Sequence, residues 1–253
     1  MTLSIAIAGA FGRMGRALIE AARNDARFHI SGTTTRGGAG PGEAAADADI
    51  WIDFTTPTAS VAALDALAST KVRAAIVGAT GLSLEQEARI AEHANRIAIV
   101  RSGNFSLGVN VLAALVEDAA AKLGPNWDIE IFEAHHRRKV DAPSGTALML
   151  GEAAARGRGK ALKDLRLAPN DGVTGPRRDG GIGFASLRAG GIVGEHEVKF
   201  ATEHEVVTLS HSALDRGLFA DGALAAALWA GDKPPGFYSM RDVLGLQAPR
   251  LAR

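Results

Sequence analysis

The first hundred residues alternate short apolar runs with helical patterns, and this alternation constrains the fold more than any other feature. The segments "LSIAIAG", "FHISGTT", "DIWIDFT", "AAIVGAT" and "IAIVRSG" read as strands. Several are apolar at nearly every position, the mark of a strand buried on both faces of a parallel sheet. Between them, "GRALIEAARN", "TASVAALDALAST" and "SLEQEARIAEHAN" read as helices; the second is entered at Pro57–Thr58 and the third is capped by Ser83. The stretch "RGGAGPGEAAADA" reads as a loop. Strands and helices at this spacing predict βαβ units and a parallel sheet.

The pattern changes after about Leu107. "SLGVNVLAALVEDAAAKLG" is a long amphipathic helix and "WDIEIFEAHH" a strand, with Ile129 and Ile131 on one side and Glu130 and Phe132 on the other. "GTALMLGEAAARG" is a further helix. "GIGFASLRAG", "GIVGEHEVKFAT" and "HEVVTLSHSA" alternate with period two and are separated by turn residues, as in an antiparallel meander. This half therefore reads as an α+β unit. "GLFADGALAAALWAGDKPPG" is a last helix and its exit, free to return to the first domain.

Composition narrows the function classes. The formal net charge is zero over 253 residues, so nothing global draws the chain to nucleic acid or a membrane, and anion recognition must be local. With no cysteine, disulfides and thiolate metal sites are excluded, which fits a reducing cytoplasm. No apolar run approaches the ~20 residues of a membrane span. The N-terminal apolar run is short, has no basic residue before it and makes a poor signal peptide.

The first strand–helix junction, "IAIAGAFGRMGRALIEAA", sets Gly9, Gly12 and Gly15 where a dinucleotide fold needs a tight turn and a close approach to pyrophosphate. The spacing departs from G-x-G-x-x-G, and a structural turn is the plain alternative. The second strand ends "TTTRGG", with no carboxylate to meet a ribose 2′-hydroxyl. Arg36, helped by Arg13, suits the 2′-phosphate of NADPH; otherwise it is a solvated loop arginine.

The most concentrated chemistry lies in "EAHHRRKVDAPSGTA", residues 133 to 147, which holds seven acidic or basic side chains in its first nine positions. A solvated charge run is the usual meaning of such a stretch, but a turn that opens a helix follows at once and presents backbone amides to an anion. A metal is disfavoured, because Arg137, Arg138 and Lys139 would repel it and His135 and His136 would point to opposite sides of a strand. Nucleic acid is disfavoured because no aromatics interleave the basic residues. What remains is a small anionic substrate held by Lys139, His136 and the Gly145–Thr146 amides. Hydride addition to a C=C–C=N system needs a nearby cation and a proton donor, and His135 and Lys139 are the residue types here that supply them near neutral pH.

This stretch closely resembles the signature of bacterial 4-hydroxy-tetrahydrodipicolinate (dihydrodipicolinate) reductases of lysine and diaminopimelate biosynthesis. "IAIAGAFGRMGR", "IDFTTP", "VGATG", "GNFSLGVN", "RAGGIVGEHEV", "RGLFADGALAAALW" and "MRDVLGL" extend the resemblance along the chain. It implies an α/β fold: a Rossmann-like dinucleotide domain, residues 1–107 completed by 216–253, and a substrate-binding and oligomerisation domain, residues 108–215. The latter would carry a four-stranded mixed or antiparallel sheet that builds a homotetramer. Cofactor contacts carry over to Gly9, Ala10, Phe11, Gly12, Arg13, Met14, Arg36, Gly78, Ala79, Thr80, Ser102, Gly103, Asn104 and Phe105. Substrate carboxylates carry over to His136, Gly145 and Thr146, and proton transfer to His135 and Lys139. The implied reaction adds hydride from NADPH, or NADH, to ring C4 of a cyclic dicarboxylate and protonates the enamine at C3.

Some positions depart from the family pattern. Thr35 stands where NADH users often carry an acid, Ala79 lacks a hydroxyl, and Arg101 and Ser102 replace small apolar residues. The loop between the second and third strands is short. Glu195 and His196 are expected to be interface or sheet-surface residues, and His204 and His211 ordinary strand histidines. Arg137, Arg138 and Asp141 receive no role. The competing functions are another Rossmann amino-dicarboxylate dehydrogenase and a non-catalytic NADPH sensor.

Overall fold

The structure is a computed structural model that describes residues 2–246. The chain divides into two compact units: residues up to Leu107 with Arg216–Gly245, and Gly108–Asp215, with which Leu246 also falls. The expected placement of residues 247–253 lies outside the described residues.

The first unit runs β1 (Leu3–Ile7), α1 (Arg13–Arg23), β2 (Phe28–Thr33), α2 (Pro41–Ala44), β3 (Ile50–Asp53), α3 (Pro57–Ala66), β4 (Ala74–Val77), α4 (Leu84–Glu92) and β5 (Ala98–Arg101). The second unit follows with α5 (Leu107–Leu123), β6 (Asp128–His135), α6 (Gly145–Gly157), α7 (Leu162–Leu165), β7 (Ile182–Arg188), β8 (Gly194–Ala201) and β9 (Val206–Ala213). The chain then returns to the first unit as α8 (Gly217–Ala230), β10 (Gly236–Tyr238) and α9 (Met240–Val243). None of these helices is long and apolar enough to cross a membrane.

The first unit's sheet is parallel throughout, in the order β10-β5-β4-β3-β1-β2. Strand alternation sends Ile5, Ile7, Ile50, Ile52, Ile76 and Val100 to one core with α1 and α8, and Ala6, Trp51, Ala75, Val77 and Ile99 to another with α3 and α4. Both faces are therefore covered, which is why these strands are apolar at consecutive positions. The chain order reverses at β1, which lies between β2 and β3, making this the switch point at whose carboxyl edge such sheets bind ligands.

Two details differ from the sequence reading. Residues Pro41–Ala44, within the stretch read as a loop, form one helical turn started by proline at its first position. Gly236–Tyr238, which starts at the last residue of the segment read as a helix exit, adds β10 beside β5.

In the second unit, α5 and α6 cover one face of a four-stranded sheet through Leu112, Val116, Leu150 and Ala153. The sheet order is β7-β6-β8-β9, with β6 parallel to β7 and antiparallel to β8. The three period-two runs are thus not a simple meander. The earlier strand β6 inserts between β7 and β8, and the sheet is mixed.

Candidate active site

In the first unit, the expected cofactor residues fall on loops at the carboxyl edge of β1, β2, β4 and β5, except Arg13 and Met14, which open α1. Glycine is required at the tightest points. Gly9 has φ +69°, and a Cβ at Gly15 would lie 2.1 Å from the Gly9 carbonyl oxygen. The Gly9 and Ala10 amides donate to Thr34 at 3.1 and 2.9 Å, and the Gly12 amide donates to the Gly9 carbonyl at 2.8 Å. These bonds commit the Gly9, Ala10 and Gly12 amides within the protein. Gly12, the residue before α1, provides no side-chain cap, whereas Ser83 and Gln86 close a capping box on α4. A turn this tight, with a Cβ at Gly9, Gly12 or Gly15 brought to within 3.1 Å of protein atoms, is of the kind that fits a dinucleotide pyrophosphate.

The remaining loops have different surroundings. Arg36 is exposed just after β2, as are Phe11 and Arg13 near the turn. Ala79 and Phe105 are buried, and the Phe105 ring stacks edge-on against Phe54 with centroids 5.1 Å apart. Their side chains belong to the core, so a bound ligand meets backbone there. A Cβ at Gly222 of α8 would lie 1.7 Å from the Phe105 carbonyl oxygen, so the returning helix closes directly on the Ser102–Phe105 loop. Arg101, unusual on family grounds, is an anchor. It pairs with Glu87 at 2.7 Å and donates to the Ser102 carbonyl at 2.7 Å.

In the second unit, the odd-numbered positions of β6 face the helices, so the alternation that buries Ile129 and Ile131 also buries Glu133 and His135. Glu133 is fully buried, and an isolated buried carboxylate would be costly. Arg188 of β7 answers it with two bonds, at 2.7 and 2.8 Å, and the Ser144 amide donates to it at 3.2 Å. Burial by itself would raise the Glu133 pKa. Hydrogen bonds from Arg188, Ser186 and His135 outweigh burial and hold it at about 2. His135 Nδ1 lies 2.6 Å from Glu133 Oε2.

His196 of β8, expected to be an interface or sheet-surface residue, is only 5 % exposed within the single chain and stacks edge-on against His135 at 5.1 Å. Its Nε2 lies 3.2 Å from Ser144 Oγ, which also accepts the Ala147 amide as the N-cap of α6. Burial, then the neighbouring His135, lowers its pKa to about 4, so it is neutral near pH 7. Glu195, beside it, is exposed. His211, opposite His196 on β9, is half-buried, and burial lowers its pKa as well.

The strand ends at His135, and His136 starts a turn in which the Lys139 amide donates to the His136 carbonyl at 3.0 Å. Lys139 Nζ pairs with Asp141 at 2.9 Å, so Asp141 has a partner that the sequence did not reveal. That bond lowers the Asp141 pKa. Arg188 also donates to the Asp141 carbonyl at 2.6 Å and so ties the turn to the Glu133 cluster. Arg137 and Arg138 are exposed. Gly145 and Thr146 are the first two residues of α6, with Gly145 exposed. Among the described residues no group of three or more His, Asp or Glu side chains is placed to hold a metal.

Sequence reasoning named His135, His136, Lys139, Gly145 and Thr146, and did not group Glu133, Arg188, Ser144 and His196 with His135 in one cluster. A signal for Glu133 was present: the period that sends Ile129 and Ile131 inward continues to residues 133 and 135.

Comparisons with known proteins now bear on the class. A solved dipicolinate-bound dihydrodipicolinate reductase from Paenisporosarcina sp. TG-14 superposes with a TM-score of 0.74 over 94% of this chain and 98% of that one, at 23% identity. Such low identity carries the fold alone. A 4-hydroxy-tetrahydrodipicolinate reductase of Caulobacter vibrioides is 57% identical, covering 97% of this chain and 98% of the relative. One of Dinoroseobacter shibae is 50% identical, covering 96% and 98%. In class, the protein is an NAD(P)H-dependent oxidoreductase with a Rossmann-like domain. The chain belongs to the dihydrodipicolinate reductase family, whose N-terminal model matches residues 3–105 and whose C-terminal model matches residues 108–244.

Proposed function

We propose that the protein reduces dihydrodipicolinate, formed from 4-hydroxy-tetrahydrodipicolinate by loss of water, to tetrahydrodipicolinate in diaminopimelate and lysine biosynthesis. The observation that carries this reading is the Glu133–His135 pair, buried at the end of β6 and followed within one turn by His136 and Lys139. A solvated charge run would have no reason to bury an ionised acid beside a histidine. The relatives' names supply the substrate class.

In this reading the Gly9–Met14 turn and the N-terminus of α1 hold the cofactor pyrophosphate. Arg36 meets the 2′-phosphate of NADPH, and Gly78–Thr80 and Ser102–Phe105 complete the cofactor loops. His136, Gly145 and Thr146 hold the substrate carboxylates. Bound NAD(P)H supplies the hydride added to ring C4. Lys139 and His135 provide the proton for C3 of the resulting enamine, and the Lys139 charge stabilises electron density moving toward nitrogen. The cytoplasm is the proposed location. A homotetramer built through the four-stranded sheet is the proposed assembly, and light scattering checks it.

The deciding experiment follows absorbance at 340 nm with substrate freshly made from pyruvate and aspartate semialdehyde, with NADPH and NADH in parallel. Oxidation that depends on substrate, faster with NADPH, is the expected result. Cofactor binding without turnover would favour the sensor, and turnover only with an acyclic amino-dicarboxylate would favour another dehydrogenase.

A further inference from the structure

The register of the four-stranded sheet lays two rows of side chains across the face that meets the helices. Ser186, Glu133, His196 and His211 stand in one row, contributed in turn by β7, β6, β8 and β9. In the next row, Arg188 pairs with His135, and Gly194 pairs with Ala213. Gly194 is the residue whose Cβ, if present, would lie 3.2 Å from His135 Nε2. His135 therefore has a carboxylate at one ring nitrogen and a position without a side chain at the other.

The chemistry of the carboxylate fixes what the ring can do. Glu133 accepts both Arg188 bonds and the Ser144 amide, so it is ionised and can only accept from His135. The ring nitrogen 2.6 Å away, Nδ1, must then carry its proton. In the neutral ring, Nε2 is left with the lone pair. The other charged and titratable groups around the ring do not compete for Nδ1. Arg188 is committed to Glu133 and the Asp141 carbonyl, Lys139 pairs with Asp141, and His196 is directed to Ser144. His211 pairs across from His196 rather than His135.

We propose that Glu133, braced by Arg188, is a positioning residue: it keeps a proton on His135 Nδ1 in every protonation state of the ring and so leaves Nε2, beside Gly194, as the nitrogen that gains a proton and passes it to substrate. This rests on the proton-transfer role read for His135 above. The same division of labour operates wherever a buried acid orients a catalytic imidazole without itself taking the proton. A side chain at position 194 would crowd the working nitrogen, and loss of the carboxylate would let the ring adopt the other tautomer.

The test uses the whole enzyme labelled with ¹⁵N-histidine, with the His135 signals assigned by their loss in His135→Asn. At alkaline pH without substrate, Nδ1 is expected to resonate as a protonated nitrogen and Nε2 as an unprotonated one. The reverse pattern overturns the proposal, and this reading needs no turnover. Glu133→Gln is expected to mix the two tautomers and lower kcat about 100-fold or more, with the KM for NADPH unchanged. Gly194→Ala leaves the charge cluster intact. It is expected to keep the wild-type tautomer and lower kcat at least tenfold, and a wild-type rate there overturns the assignment of Nε2. If the wild-type enzyme fails to reduce the substrate, the functional reading falls, while the tautomer measurement still decides the role of Glu133 in orienting the ring.

Discussion

At the carboxyl edge of the six-stranded sheet, the decisive residues are those without side chains. Gly15 and Gly222 let backbone approach backbone, Gly9 turns at positive φ, and the arginines nearby, Arg13 and Arg36, are exposed. On the inner face of the four-stranded sheet the means are reversed. Glu133, His135 and His196 are buried side chains: Glu133 is held by Arg188 of β7, His196 lies against Ser144, and His135 bonds Glu133 on its own strand. A glycine edge tolerates many sequences as long as space is kept. A buried charge cluster fails when one member is removed, because the survivor is left unpaired.

The sharpest test of this contrast is Lys139→Ala. We expect kcat to fall about 10²–10⁴-fold, the range for loss of a general acid, while fluorescence titration shows unchanged NADPH binding. A kcat near wild type would remove chemistry from the second unit.

The next effect concerns stability. His196 ordinarily titrates near 6.5, but burial and the neighbouring His135 bring it to about 4 in the folded protein. Between those values the unfolded chain holds a proton that the folded chain does not. Stability therefore falls as pH drops from about 6.5 to about 4, by about 3 kcal/mol. Urea unfolding across that window should show the slope, and His196→Asn should flatten it. A slope that survives the substitution would show that another group is responsible.

Gly15→Ala probes the other unit. Its Cβ would meet the Gly9 carbonyl at 2.1 Å, a backbone contact that cannot rotate away. We expect a loss of about 1–3 kcal/mol and at least tenfold weaker NADPH binding, with the pH slope of His196 preserved. Normal cofactor affinity in this variant would show that the turn does not approach the ligand closely.

The smallest effect is expected at Arg36, which is exposed. Arg36→Ala should weaken NADPH binding about tenfold, as for loss of one charge-assisted contact, and leave NADH nearly unchanged. Equal effects on both cofactors would place Arg36 away from the 2′-phosphate.

Much of the first unit was legible because its strands are buried on both faces and its helices carry local signals. Ser83 with Gln86 marks the start of α4; in the second unit, the segment read as a helix at Gly145–Gly157 is α6 to the residue. The short elements were not legible. Pro41–Ala44 and Leu162–Leu165 span about one turn, and Gly236–Tyr238 has three residues, too few to show a period. The histidine stretch declared its chemistry through composition, but His196 was misplaced. Period two states that residues 195 and 197 face away from residue 196; it does not state which face is covered.

The sequence by itself determined which residues alternate, where glycine must stand, and that acid, histidine and lysine crowd into one turn. These properties depend on neighbours within a few residues. The tertiary structure decided that β6 inserts between β7 and β8, which brings Arg188 and His196 to Glu133 and His135 from more than 50 positions away. Strand order and register are fixed by long-range pairing and by which face the helices cover, and no local pattern encodes either one.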